Sequence, residues 1–206
     1  MNEFSIYLKL GFEHITDPNG YDHIIFLIAL CAIYRLTEWR KVLILITAFT
    51  LGHSFTLALA TLQVIQYRTD IIEFLIPCTI LLTASLNILQ PTQPDNIFAP
   101  VNRQRSSFRY ILALCFGLIH GMGFSTFLRS LLGKEASIVQ PLLAFNIGLE
   151  LGQILIVFGV LTLAWILIDL FRVKKNNWKL VVSGAVAGIA IILIKESDYW
   201  QELMGK

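Results

Sequence analysis

The chain has 206 residues, 56% hydrophobic and only 15% charged, with a mean hydropathy of +0.69. Apolar runs this long and this poor in charge exclude an ordinary soluble core and predict one all-α polytopic membrane domain over residues 1–206. The formal net charge of +2, with no basic patch interleaved with aromatics, argues against a nucleic-acid partner.

In chain order, residues 4–14 place Phe4, Leu8 and Phe12 at helical spacing, which predicts a short N-terminal interfacial helix. Asp17-Pro18-Asn19-Gly20 breaks it. The bundle is expected over 21–195, as about six membrane helices at 21–36, 41–65, 71–90, 109–132, 139–171 and 178–195, with 196–206 as a tail. The fifth is longer than a span requires, so it should tilt or protrude. The N-terminus lacks a basic start followed by a compact apolar region, so the first membrane helix is expected to direct insertion.

Loop charge sets the expected orientation. Arg35, Arg40 and Lys41 in the first connection, Arg103, Arg105 and Arg109 in the third, and Arg172, Lys174, Lys175 and Lys179 in the fifth make these three cytoplasmic. Both termini then lie outside. Cys31, Cys78 and Cys115 fall singly inside apolar runs, which reads as packing rather than as a disulfide or a soft-metal Cu(I) site.

The polar residues inside the apolar runs are the informative ones, because polar groups in lipid face the bundle interior and mark function. Two of the chain's four histidines, His53 and His120, sit near the middles of predicted spans, and the other two, His14 and His23, bracket the first polar turn with Asp22. Ser54 shares the face of His53, Asn146, Glu150 and Gln153 project together at i, i+4 and i+7, and Glu73 opens the third span. Gly117, Gly121 and Ser125 recur every fourth residue beside His120, and Gly148 and Gly152 do the same beside Glu150, spacings that let helix backbones approach closely. Imidazole and carboxylate together suit a first-row divalent ion such as Ni, Zn, Co or Fe. The expected site therefore has an outer rim of His14, Asp22 and His23 and a deeper centre of His53, His120 and Glu150, with Glu73, Asn146, Gln153 and Ser54 around it.

Five segments in order, Gly11-Phe12-Glu13-His14-Ile15, Asp22 to Leu27, Phe49 to Leu57, Gly117 to Phe124 and Phe145 to Gln153, resemble the HupE/UreJ family of membrane proteins. The resemblance implies a nickel or related metal permease of the bacterial inner membrane, associated with hydrogenase or urease clusters and hence with metalloenzyme maturation partners. Two other functions fit the same residues. One is an intramembrane metal-dependent hydrolase or transferase acting on a lipid or lipidated substrate, with Glu150 or Glu73 as general base. The other is a metal sensor or accessory protein. No phosphate-binding Gly-rich loop is present, so a permease would run on a gradient or on trapping.

Overall fold

The computed structural model describes residues 2–91, 103–132 and 138–205, and among these all regular structure is helical, with no strand. The helices are α1 (Glu3–Thr16), α2 (Asp22–Cys31), α3 (Trp39–Thr61), α4 (Thr69–Leu89), α5 (Arg103–Gly123), α6 (Ser125–Leu132), α7 (Val139–Trp165), α8 (Lys175–Glu196) and α9 (Asp198–Leu203). Four stretches among the described residues are long and apolar enough to cross a membrane: Leu36–Thr61, Thr69–Leu89, Val139–Leu170 and Lys175–Glu196. The bent pair α5 and α6 makes a fifth if it is taken as one span.

Two expected spans differ. The first, drawn over 21–36, is the ten-residue helix α2, about 15 Å long at about 1.5 Å per residue and half of the about 30 Å hydrocarbon core. It is short because the turn at Pro18–Gly20 comes before it and the chain leaves the helix after Cys31, ahead of Arg35. The fourth, drawn over 109–132, bends by 48° between α5 and α6. At that bend the Met122 carbonyl accepts hydrogen bonds from the Tyr67 hydroxyl at 2.7 Å and from Ser125 Oγ at 3.0 Å. Side-chain hydroxyls thus satisfy a carbonyl at the break, where Gly121 and Gly123 make the helix easy to interrupt. The long fifth span runs on from α7 through a π-turn at Ile166–Leu170.

Two helix pairs form the frame. A Cβ on Gly11 of α1 would collide with the Phe145 carbonyl of α7, and one on Gly148 of α7 would collide with the Leu8 carbonyl of α1. The same reciprocal arrangement joins α3 and α5: Gly52 lies against the Leu114 carbonyl and Gly117 against the Phe49 carbonyl. In both pairs the helices run in the same direction, and backbones touch because glycine leaves no side chain between them. α1, burying Tyr7, Gly11 and Ile15, is a packed member of the bundle.

The basic helix ends gather at one end of the molecule. Lys175 at the start of α8 lies 3.8 Å from Glu38, which also accepts from Lys41 at 2.7 Å. Arg109 of α5 donates to Asn87 at 3.1 Å and to the Gln90 side chain, while Lys179 of α8 donates to the Gln90 carbonyl at 2.5 Å. The connections at 92–102 and 133–137, and the side chains of Arg103 and Arg105, lie outside the described residues.

The glycine seams give a direct test of packing. Gly148→Val should lower the thermal midpoint of the detergent-solubilised protein, with overpacking costing about 1–3 kcal/mol or more. Gly184→Ala, at a site on α8 where a Cβ meets nothing within 4 Å, should leave the midpoint unchanged or raise it, since alanine gains up to about 1 kcal/mol of helix propensity. Tryptophan fluorescence on heating separates the two.

Candidate metal centre

Each glycine seam fixes a histidine. His14 lies one turn beyond Gly11 on α1, His120 one turn beyond Gly117 on α5, and His53 follows Gly52 directly on α3. His23 enters from the first turn of α2, placed there by the Asp17-Pro18-Asn19-Gly20 turn, in which Asp17 accepts from the Asn19 backbone N–H at 2.8 Å. All four imidazoles then meet. Ring centroids are 4.8 Å apart for His14 and His23, 5.1 Å for His23 and His120, 6.1 Å for His14 and His53, and 6.3 Å for His23 and His53. The histidines of the expected rim and of the expected deeper centre are therefore one cluster, without Glu150.

The donors form two groups that share His23. One nitrogen each from His14, His23 and His53 lie within 4.8 Å of one another, and so do the donors of Asp22, His23 and His120. Phenylalanines wall the cluster. Phe124, at the α5/α6 bend, has its ring centroid 3.9 Å from that of His14, Phe145 stacks on His53 at 6.4 Å, and His120 lies 5.4 Å from Phe26 and 5.1 Å from Phe49. These rings were not legible as part of the site, because a buried Phe in an apolar run looks the same whether it lines a core or a ligand cluster.

Polar accounting shows what the cluster lacks. The Asp22 carboxylate accepts from His23 Nδ1 at 3.1 Å, and Thr79 Oγ1 lies 3.1 Å from His120 Nε2. His14 Nε2, His23 Nε2, both nitrogens of His53 and His120 Nδ1 are buried with no hydrogen-bond partner. Buried polar groups are normally paired, and each one left unpaired costs about 1–3 kcal/mol. Ring nitrogens gathered in this way fit a divalent transition-metal ion, which binds imidazole lone pairs.

The other predicted residues are elsewhere. Glu150 joins neither donor group; it is half-buried on α7 and accepts from the Thr47 hydroxyl at 2.8 Å. Its i+3 neighbour Gln153 accepts from Thr50 at 2.8 Å, Asn146 has a buried and unpaired Oδ1, and Ser54 donates back to the Thr50 carbonyl of its own helix. Glu73 lines a groove of about 360 Å³ that also contains Asp22 and Glu196. A second groove, about 540 Å³, reaches His14 past Glu13 and Asp17. Thr79, the partner of His120, is a polar residue that the sequence places below Glu73 on the same helix but that the expected site left out; a lone hydroxyl in an apolar run gives no further signal.

A family model described as HupE / UreJ protein matches residues 1–199. The chain belongs to the HupE/UreJ family. The motifs of that resemblance are the segments that carry His14, His23, His53 and His120 into the cluster. Neither the comparison with curated proteins nor that with solved structures gives a match.

The unpaired nitrogens of His53 make a prediction that needs no metal. His53→Leu removes two unsatisfied buried groups from a fully buried position, so the metal-free protein should be as stable as the wild type or more stable, by up to about 1–3 kcal/mol. A histidine held by structural hydrogen bonds would show the opposite sign in thermal unfolding.

Proposed function

We propose that this protein is a permease for a divalent transition metal, nickel or cobalt before zinc or iron, and that the four-histidine cluster is where the ion binds in transit. The observation that carries the reading is the gathering of unpaired imidazole nitrogens at His14, His23, His53 and His120 inside a bundle of the HupE/UreJ family. Neutral imidazole is the ligating form, so loading the cluster exchanges several uncompensated groups for metal bonds. Asp22 lends negative charge beside His23 and offers a carboxylate to the ion.

The two grooves supply the approach. One brings an ion past Glu13 and Asp17 to His14 and the other past Glu73 and Glu196 to Asp22, so carboxylates draw a cation toward the donors from either side. In this reading the route onward meets the basic end of the bundle. Arg109 and Lys179 join α5 and α8 to the end of α4 through Gln90, and Asn87, the ligand type nearest that end, is occupied with Arg109 and the Ala29 carbonyl. Passage requires this junction to part once the ion has left the grooves, which gives alternating access to the cluster.

The intramembrane hydrolase is not favoured. Its candidate bases, Glu150 and Glu73, are respectively engaged by Thr47 and set in a groove outside the donor groups. Binding without passage, as in a sensor or accessory protein, uses the same cluster and is separated by flux.

In proteoliposomes with a metal-sensing dye inside, external Ni²⁺ or Co²⁺ should enter through the wild-type protein. Entry should fall to the protein-free rate in a His53→Ala, His120→Ala double variant that remains folded. Saturable binding to the wild type by calorimetry without any flux would leave a binding protein, and no binding of Ni²⁺, Co²⁺, Zn²⁺ or Fe²⁺ would remove the reading.

A further inference from the structure

We propose that the Thr79 hydroxyl acts as a positioning group that fixes the tautomer of His120, so that Nδ1 is the nitrogen this histidine presents to the ion. The inference rests on the metal-binding reading above for its consequence, but not for its geometry. Thr79 is 5% exposed and His120 1%, so neither has water as an alternative partner. Thr79 Oγ1 lies 2.7 Å from the Ile76 carbonyl oxygen on its own helix and 3.1 Å from His120 Nε2 on α5.

A carbonyl oxygen can only accept, so the single hydroxyl proton of Thr79 lies on the bond to Ile76. Such back-bonding to the preceding turn is the ordinary behaviour of threonine in a helix. The contact with His120 then needs its proton from the ring. Nε2 carries N–H and donates to the threonine oxygen, and a neutral imidazole protonated at Nε2 has its lone pair at Nδ1. That is the ring atom of His120 left buried and unpaired.

The same logic gives the opposite result next door. The Asp22 carboxylate accepts from His23 Nδ1, which leaves Nε2 as the free donor of His23, again the unpaired atom. The shared group of Asp22, His23 and His120 is thus set with complementary tautomers by partners outside the rings. Outer partners of this kind orient metal-binding histidines, and their loss typically costs 10–100-fold in metal affinity.

The test uses full-length protein labelled with ¹⁵N-histidine, in which only four imidazoles report. In the metal-free wild type, His120, assigned by its loss in His120→Gln, should show protonated Nε2 and bare Nδ1. Thr79→Ser should keep that pattern, while the near-isosteric Thr79→Val should lose it. Calorimetry with Ni²⁺ or Co²⁺ should then show Thr79→Val weakened about 10–100-fold and Thr79→Ser within about threefold of wild type, with the Co²⁺ absorption spectrum altered only in the valine variant. Protonated Nδ1 on wild-type His120, or a valine variant with wild-type tautomer and affinity, overturns the proposal. If the wild type binds no metal, the permease reading fails, and the tautomer spectra still decide the role of Thr79.

Discussion

Backbone contact at four glycines is the constraint from which the rest of the structure follows. Gly11 with Gly148 and Gly52 with Gly117 each pack reciprocally, every glycine against the carbonyl three residues before its partner, so two parallel helix pairs are locked in depth and in rotation. Rotation matters as much as distance. A residue three positions beyond such a glycine lies on the same side of its helix, one turn along. His14 and His120 occupy that position in α1 and α5, one in each seam, and are thereby turned toward the same interior. The turn before α2 then has one task, which is to bring His23 between them.

Once the rings are gathered, their surroundings favour a cation over any internal solution. The phenylalanines at 26, 49, 124 and 145 supply no hydrogen bonds, and the polar partners within reach are few: one carboxylate at His23 and one hydroxyl at His120. A natural protein is stable by only about 5–15 kcal/mol, so several unpaired buried nitrogens at about 1–3 kcal/mol each are a large fraction of that total. A purely structural network would have paired His53, which has a ring nitrogen pointing to no partner on either side. Four such rings held together are the donor set that the proposed function assigns to a divalent ion.

Much of this was legible in the sequence, for identifiable reasons. Polar residues in long apolar runs are rare and must face inward, so His53 and His120 declared themselves, and the glycine spacing beside them marked close helix approach. Depth was less legible. Counting residues from helix ends put His14 and His23 above His53, but α1 runs alongside α7 and α2 starts at the level of the cluster. Glu150 satisfied every criterion for an inward-facing ligand, yet helical phase gives a face and not a partner, and Thr47 of the neighbouring α3 takes it. Hydropathy also could not separate one crossing from a short helix after a turn, which is why 21–36 read as a span and α2 is not one.

The two ends of the bundle are built on opposite principles, and that contrast bears on the proposed passage of an ion. Around the cluster there are open grooves and carboxylates on α1, α2, α4 and α8. At the other end, Arg109 and Lys179 sit against Asn87 and Gln90, all within a packed junction of α4, α5 and α8. In the permease reading a divalent ion passing this end meets two fixed cations, and at an effective dielectric constant of about 20 a single unit charge about 4 Å away costs it about 8 kcal/mol. In that reading, a bundle fixed in this arrangement would hold its ion without passing it. The junction is made of hydrogen bonds from Arg109 to Asn87 and Gln90 and from Lys179 to Gln90, and α5 carries both Arg109 and His120. In the permease reading, the helix that holds the ion is therefore also the one tied at the far end.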